Sequence, residues 1–391
     1  MKIKDKQTRY AVRIIILVAM LAIVTGAGLS CIEGLRTIGW SGGAVSGDIL
    51  YVGSEEGRLV SVNTTNESRR YTEALQGAAS SGGLFGCSPL TGGCTGGGTA
   101  IAIYGTPVVD GELVYIAGYN GKVYAYTRDG LGIRWIYPRE GYFNPIVGSV
   151  VVADGKVFFG DSAGYVYALD AITGDYLWRF ATEKDESDRD KIWSTPAVSD
   201  GTVYIGSFNK KIYAIDAETG TLKWDYLTEG SVIAQPLVID GTIYIGSLDR
   251  NFYALDANGN LKWSFSGGNW FWSIPVIFEG KLYAGNLDGK VYVLDPATGN
   301  LQNSFDLEGP LAATPVIHGS NIIFATREGT IYSIDTVNNS SKLLAALEAK
   351  TYGPLAIKDG IIYVHTQEVE LERINADTGA VLAPISLKSG A

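Results

Sequence analysis

Thr195-Pro196-Ala197-Val198-Ser199-Asp200-Gly201-Thr202-Val203-Tyr204-Ile205-Gly206-Ser207 is followed by Lys211-Ile212-Tyr213-Ala214-Ile215-Asp216 and then by Thr219-Gly220-Thr221-Leu222-Lys223-Trp224. Short runs of Val, Ile and Tyr separated by turn residues read as strands joined by tight hairpins. Asp-Gly, as at Asp200-Gly201, accepts positive φ in a two-residue turn. The glycine at 201 recurs as Gly47, Gly111, Gly155, Gly241, Gly280, Gly319 and Gly360. The phrase therefore occurs eight times, at spacings of 64, 44, 46, 40, 39, 39 and 41. The period is near 40, with one large insertion after the first copy.

Each copy contains four such runs and predicts a four-stranded antiparallel sheet. A sheet of that size cannot bury both its faces alone, and eight of them arranged radially cover one another and leave only short edges. The expected fold is all-β, an eight-bladed β-propeller over residues 42–391. Residues Leu35 to Trp40 are expected to add a closing strand to the blade formed by 353–387, because joining the two ends of a ring removes an exposed edge. Residues 64–100 break the rhythm with Ser80-Ser81-Gly82-Gly83 and Gly92-Gly93-Cys94-Thr95-Gly96-Gly97-Gly98, and read as a loop or a poorly paired outer strand with a long Gly- and Cys-rich insertion. Cys87 and Cys94 are close enough in sequence to pair across it, which in an oxidising compartment makes a loop-restraining disulfide.

The ends of the repeats carry a family resemblance. Tyr167-Ala168-Leu169-Asp170-Ala171-Ile172-Thr173-Gly174-Asp175-Tyr176-Leu177-Trp178, with the matching stretches ending at Trp224 and Trp263, resembles the tryptophan-docking repeat of pyrroloquinoline-quinone-type propellers. The resemblance implies that Trp178, Trp224 and Trp263 pack between adjacent blades while Asp170, Asp216 and Asp256 fix the turns that present them. Asn303 and Ala383 stand where Trp is expected in repeats six and eight. Length, signal type and blade number are similar to those of the propeller lipoproteins of the outer-membrane β-barrel assembly machinery, which implies a scaffold in envelope protein assembly. Quinone-dependent alcohol dehydrogenases with these repeats hold their cofactor under a disulfide between adjacent cysteines and bind calcium through carboxylates and an amide. No two cysteines are adjacent here, so neither a cofactor nor a metal is expected, and the chain is read as a non-enzyme. The alternative is a quinoprotein-like oxidoreductase or a sensor of a small ligand in the central funnel.

The 391 residues include 50 Gly and 23 Tyr but only two His and three Cys. His-rich metal centres and most His-dependent triads are thereby excluded. His318 falls in a turn slot held elsewhere by Asp, and His365 replaces the glycine equivalent to Gly206. The formal net charge is -10, and without the five basic residues and one acid of residues 1–13 it is -14. A folded part so acidic offers no positive field to nucleic acid or anionic lipid.

Residues 1–30 read as a signal peptide or membrane anchor, with a basic head, an apolar run from Ile14 to Val24 and small residues before Cys31. Residues 31–41 follow as a tether. Lipidation of Cys31, an uncleaved span at about 14–32 and simple cleavage remain open, and all three place the rest outside the cytoplasm, anchored to the membrane or envelope in the first two cases.

One constellation points to a partner. Three residues before the Pro of the Thr-Pro slot stand Tyr104, Trp193, Ile233 and Trp272, while Tyr352 lies one place nearer its Pro354. A repeat protein puts one repeat position at one radius and height, so Tyr104, Trp193, Trp272 and Tyr352 are expected to ring one mouth of the channel. Tyr and Trp there suit a protein partner, because they bring large apolar area at little entropic cost. The charged run Glu183 to Lys191 lies on the same face and reads as a solvated loop.

Overall fold

The computed structural model describes residues 41–75, 101–187, 189–367 and 370–390. Among them are eight four-stranded antiparallel sheets and no helix. The blades span 44–71, 108–137, 151–181, 197–227, 237–266, 276–306, 316–346 and 356–386, each with its strands in chain order. Blade 4 is built from Ala197–Ser199, Thr202–Gly206, Lys211–Asp216 and Leu222–Leu227. First strands of neighbouring blades approach one another around the ring, as 44–46 does both 108–110 and 356–358, so they line the channel. The topology puts the blade-to-blade crossings and the turns between second and third strands on one face. The remaining hairpins lie on the other.

Period-two alternation decides which neighbour each residue meets. In blade 4, Val203, Ile205, Tyr213 and Ile215 pack on Phe158, Val166, Ala168 and Trp178 of blade 3. Tyr204, Ile212 and Ala214 face the other way, onto Ile243, Ile245, Tyr253 and Leu255 of blade 5. All eight apolar clusters of the described residues are seams of this kind, each shared by two consecutive blades.

The last seam closes the ring. Leu50, Val52, Val60 and Val62 of blade 1 pack on Tyr363, Leu371 and Ile385 of blade 8. Arg373 pairs with Glu67 at 2.6 Å, Arg69 donates to the Ser386 carbonyl at 2.7 Å, and Tyr71 donates to that of Lys388 at 3.0 Å. The expected closing strand at Leu35 to Trp40 lies outside the described residues, and blade 8 already draws four strands from 356–386. His365 fills its glycine slot at the seam: its ring is buried, and Nδ1 lies 2.8 Å from the Ser41 carbonyl. That carbonyl can only accept, so Nδ1 carries the proton, and burial holds the imidazole pKa below its ordinary value.

A tryptophan clasp spans four of the seams. Trp178 Nε1 donates to the Ala217 carbonyl at 3.1 Å, Trp224 to Ala257 at 2.8 Å, and Trp263 to Pro296 at 3.0 Å. Trp135, which the repeat motif alone did not single out, does the same to Ala171 at 2.9 Å. Its hairpin lacks the motif's aspartate, because Thr127 Oγ1 accepts from the Gly132 amide instead. Where Asn303 replaces Trp, its side-chain amide reaches Asn339 of blade 7 at 2.9 Å. The receiving turn is shaped by its carboxylate: Asp170 Oδ1 accepts from the amides of Ile172 and Thr173, and Asp216 and Asp256 do likewise in blades 4 and 5. These bonds to the charged form hold all three carboxyls below their usual pKa.

Two expectations are corrected. Asp154, Asp200, Asp240 and Asp359 are turn residues with φ of 48–49°, but Asp110 pairs with Leu113 as a strand residue, and Gly111 opens the turn. His318 likewise pairs with Asn321 at a strand end, and its Nε2 lies 2.9 Å from Asp377 of blade 8. In the stretch read as a loop or a poorly paired outer strand with a long insertion, Arg69–Tyr71 form a short fourth strand, which is followed by residues outside the described set. Cys31, Cys87 and Cys94 lie outside it too.

Gly220 and Gly201 separate two demands on glycine. Both have positive φ, 71° and 65°, but a Cβ on Gly220 would stand 2.6 Å from the Trp178 indole, whereas one on Gly201 would meet nothing within 4 Å. Gly201→Ala should therefore cost about 1 kcal/mol from backbone strain alone. Gly220→Ala should cost roughly 1–3 kcal/mol more by forcing the clasp apart. Denaturant melts of both variants measure the difference, and equal losses would remove the clasp from the seam's energetics.

Candidate functional site

The crossing segments build the site. Ile192-Trp193-Ser194-Thr195-Pro196 alternates buried and half-buried residues around a bend at Ser194. Ile192 presses against Gly160 of blade 3, where a side chain would collide with it. Ser194 turns into the ring and donates to the Ala234 carbonyl of blade 5 at 2.7 Å. Trp193 and Thr195, half-buried on either side of Ser194, line the channel-mouth cavity.

Repetition of this segment makes a cavity of about 310 Å³ at the channel mouth. Its rim takes in Tyr104, Trp193, Trp272 and Tyr352, from blades 2, 4, 6 and 8. Blades 3, 5 and 7 contribute the smaller Val147, Ile233 and Ala312 between them. Among the described residues the aromatics stand on blades 2, 4, 6 and 8, and the matching slot before blade 1 holds Trp40, outside those residues, which sequence reading did not single out. Tyr352 stands three residues before Leu355, which takes the position of Pro196 before the first strand, so it is the proline and not the tyrosine that has moved. Two rim rings are steadied edge-on by turn residues on the same face, Tyr104 by Tyr119 at 5.4 Å and Trp193 by Phe208 at 4.8 Å. Burial pushes the Tyr104 hydroxyl up to about 12, so it stays neutral.

Below the rim, hydroxyls link blade to blade. The Gly42 amide donates to Thr106 Oγ1 at 3.2 Å, the Thr106 amide to Ser149 Oγ at 2.8 Å, and the Ser149 amide to Thr195 Oγ1 at 2.9 Å. Gln235 and Thr314 continue the same level, and no charged side chain lines the cavity. A quinone cofactor bearing carboxylates finds no cation to meet it there. Among the described residues no group of three or more His, Cys, Asp or Glu is placed to hold a metal.

The charged loop is solvated as expected at Lys184, Asp185, Glu186 and Asp190, and is held at its ends. Glu183 pairs with Lys211 at 2.8 Å, and the Arg189 guanidinium lies 4.5 Å from the Tyr165 ring, with that of Arg179 at the same distance. Sequence reading also missed Asp161, in a turn slot held by Ser207, Ser247 and Asn286 in later blades. Fully buried, it accepts from the amides of Ala163 and Tyr165 and from the Tyr167 hydroxyl. Burial outweighs those hydrogen bonds and raises its pKa to about 6.

Fold and repeat together define an eight-bladed propeller of the quinoprotein-like kind. The family model described as outer membrane protein assembly factor BamB matches residues 18–190 and again 162–382, and the chain belongs to that family. Among solved structures it is similar to BamB from Moraxella catarrhalis, with 17% identity over 86% of this chain and 93% of that one, at a TM-score of 0.65. The computationally designed Ika8 protein matches at 18% identity and a TM-score of 0.62, over 73% of this chain and 86% of its own. Identities this low speak for the fold alone. A further relative, the serine/threonine-protein kinase AfsK of Streptomyces griseus, is 28% identical over 151 residues. The match takes in 37% of this chain and 16% of the kinase.

Asp161 makes a pH prediction. Its folded pKa, about 6, lies above the ordinary 3.8, so the folded state takes up a proton and stability falls as pH rises from about 4 to 6. Asp161→Asn, the residue blade 6 already uses, should match the parent below pH 4 and exceed it by roughly 1–3 kcal/mol at pH 7. Chemical melts across that range check the sign. A variant less stable at pH 7 would show the ionised carboxylate to be favourable.

Proposed function

We propose that this chain is an exported, membrane-tethered, non-enzymatic scaffold that holds a protein partner on the channel-mouth face, in envelope protein assembly. The observation that carries the reading is the convergence of Tyr104, Trp193, Trp272 and Tyr352 on one uncharged rim. Large aromatics at a polar surface make binding anchors, and rigid seams hold these in place without any partner. Membership of the assembly-factor family supports the scaffold role and the envelope location. The basic head and apolar run of residues 1–30 support export, with Cys31 as the point of lipid attachment and a Cys87–Cys94 disulfide restraining the insertion. Residues 42–391 are the scaffold itself, and its acidic balance favours protein over nucleic acid as the partner.

Replacing Trp193 and Trp272 together with Ala should leave the melting temperature unchanged, because neither belongs to a seam cluster. The same change should lower capture of a membrane partner at least tenfold in an affinity pull-down, since buried aromatic anchors contribute about 2 kcal/mol or more. Recovery of every partner at the parent level would make the rim structural.

A further inference from the structure

We propose that the funnel beneath the aromatic rim is a binding site for a neutral saccharide of one or two rings. The hydroxyl level decides the ligand's chemistry. Thr106, Ser149 and Thr195 each accept a hydrogen bond from a backbone amide of the preceding blade, so each has spent a lone pair and keeps its own proton to donate. Gln235 and Thr314 line the same cavity and add an amide and a further hydroxyl. The floor is therefore neutral and its hydroxyls can still both donate and accept, so its complement is a neutral ligand rich in hydroxyls.

Other ligand classes fit less well. A quaternary ammonium would suit the aromatic rim but brings no acceptor for the floor. A carboxylate or phosphate would accept, yet the cavity has no cation to balance it and the whole chain is negative. A sugar hydroxyl can turn to accept at the floor, and the C–H face of the pyranose ring lies against an aromatic face as any apolar surface does. The volume of about 310 Å³ is at the small end of the range for ligand pockets and suits one or two rings.

The inference goes beyond the scaffold reading and has its own test. The full chain in detergent is titrated with cellobiose, maltose and N-acetylglucosamine, and in parallel with choline and an uncharged tripeptide. Tryptophan fluorescence and saturation-transfer NMR are the two readouts. At least one saccharide should bind saturably, and Gln235→Leu and Thr314→Val should each weaken it by about three- to tenfold with no change in melting temperature. Neither side chain makes one of the hydroxyl links between blades described above, so folding should be preserved. The inference is overturned if no saccharide saturates, if choline or the tripeptide saturates instead, or if both floor variants bind as the parent does. Partner capture that depends on the rim while no saccharide binds removes only this inference. Saccharide binding with capture indifferent to the rim removes only the scaffold reading.

Discussion

The indole of Trp178 lying against the bare face of Gly220 and donating to the Ala217 carbonyl joins two sheets that share no backbone hydrogen bond. Every apolar cluster in the described ring has that character, since each blade buries its side chains in its neighbours. A fully buried Val, Leu or Ile contributes about 1.5–3 kcal/mol, so a seam of ten such residues far outweighs a single clasp. What the clasp adds is direction. An indole N–H reaching one carbonyl sets the angle at which one blade meets the next, and the Asp-ordered turn holds that carbonyl in place.

That constraint explains which features were legible from residues alone. Turn glycines, Trp and Asp recur at fixed spacing because backbone φ and close packing leave few residues to choose from, and blade number follows from them. Turn register was less legible: Asp110-Gly111 looks like Asp154-Gly155, yet in blade 2 the glycine comes first in the turn. A two-residue hairpin can use glycine at either central position, and the dipeptide does not distinguish them. Trp135 escaped because Thr127 does in its hairpin what Asp does elsewhere. The rim aromatics were found by counting from the Thr-Pro slot, whereas Asp161 was not, because its slot holds Ser or Asn in blades 4 to 6 and its partners Tyr167, Asn144 and Arg179 lie in another strand or remote in sequence.

The division of labour between the two faces follows from chain topology. Seam residues are committed to neighbours on both sides and have no freedom to vary without loosening the ring. The crossing segments alternate buried and half-buried residues about a bend, so residues such as Trp193 and Thr195 reach the channel, where they can differ from blade to blade without disturbing a seam. Aromatic, aliphatic and hydroxyl residues share these slots, with no one type repeated round the ring. The opposite face carries hairpins whose side chains fold back on their own amides, as Asp170 and Asp216 do, and exposes single apolar residues such as Ile172.

The claim that the crossing face is the working face is tested most directly by photocrosslinking from two positions of blade 3. A photoreactive phenylalanine analogue replaces Val147 at the rim in one variant and the exposed Ile172 on the opposite face in the other. Covalent adducts to a membrane partner should form from position 147 and not from position 172. Adducts from position 172 alone would contradict this account and move the binding surface to the other end of the propeller.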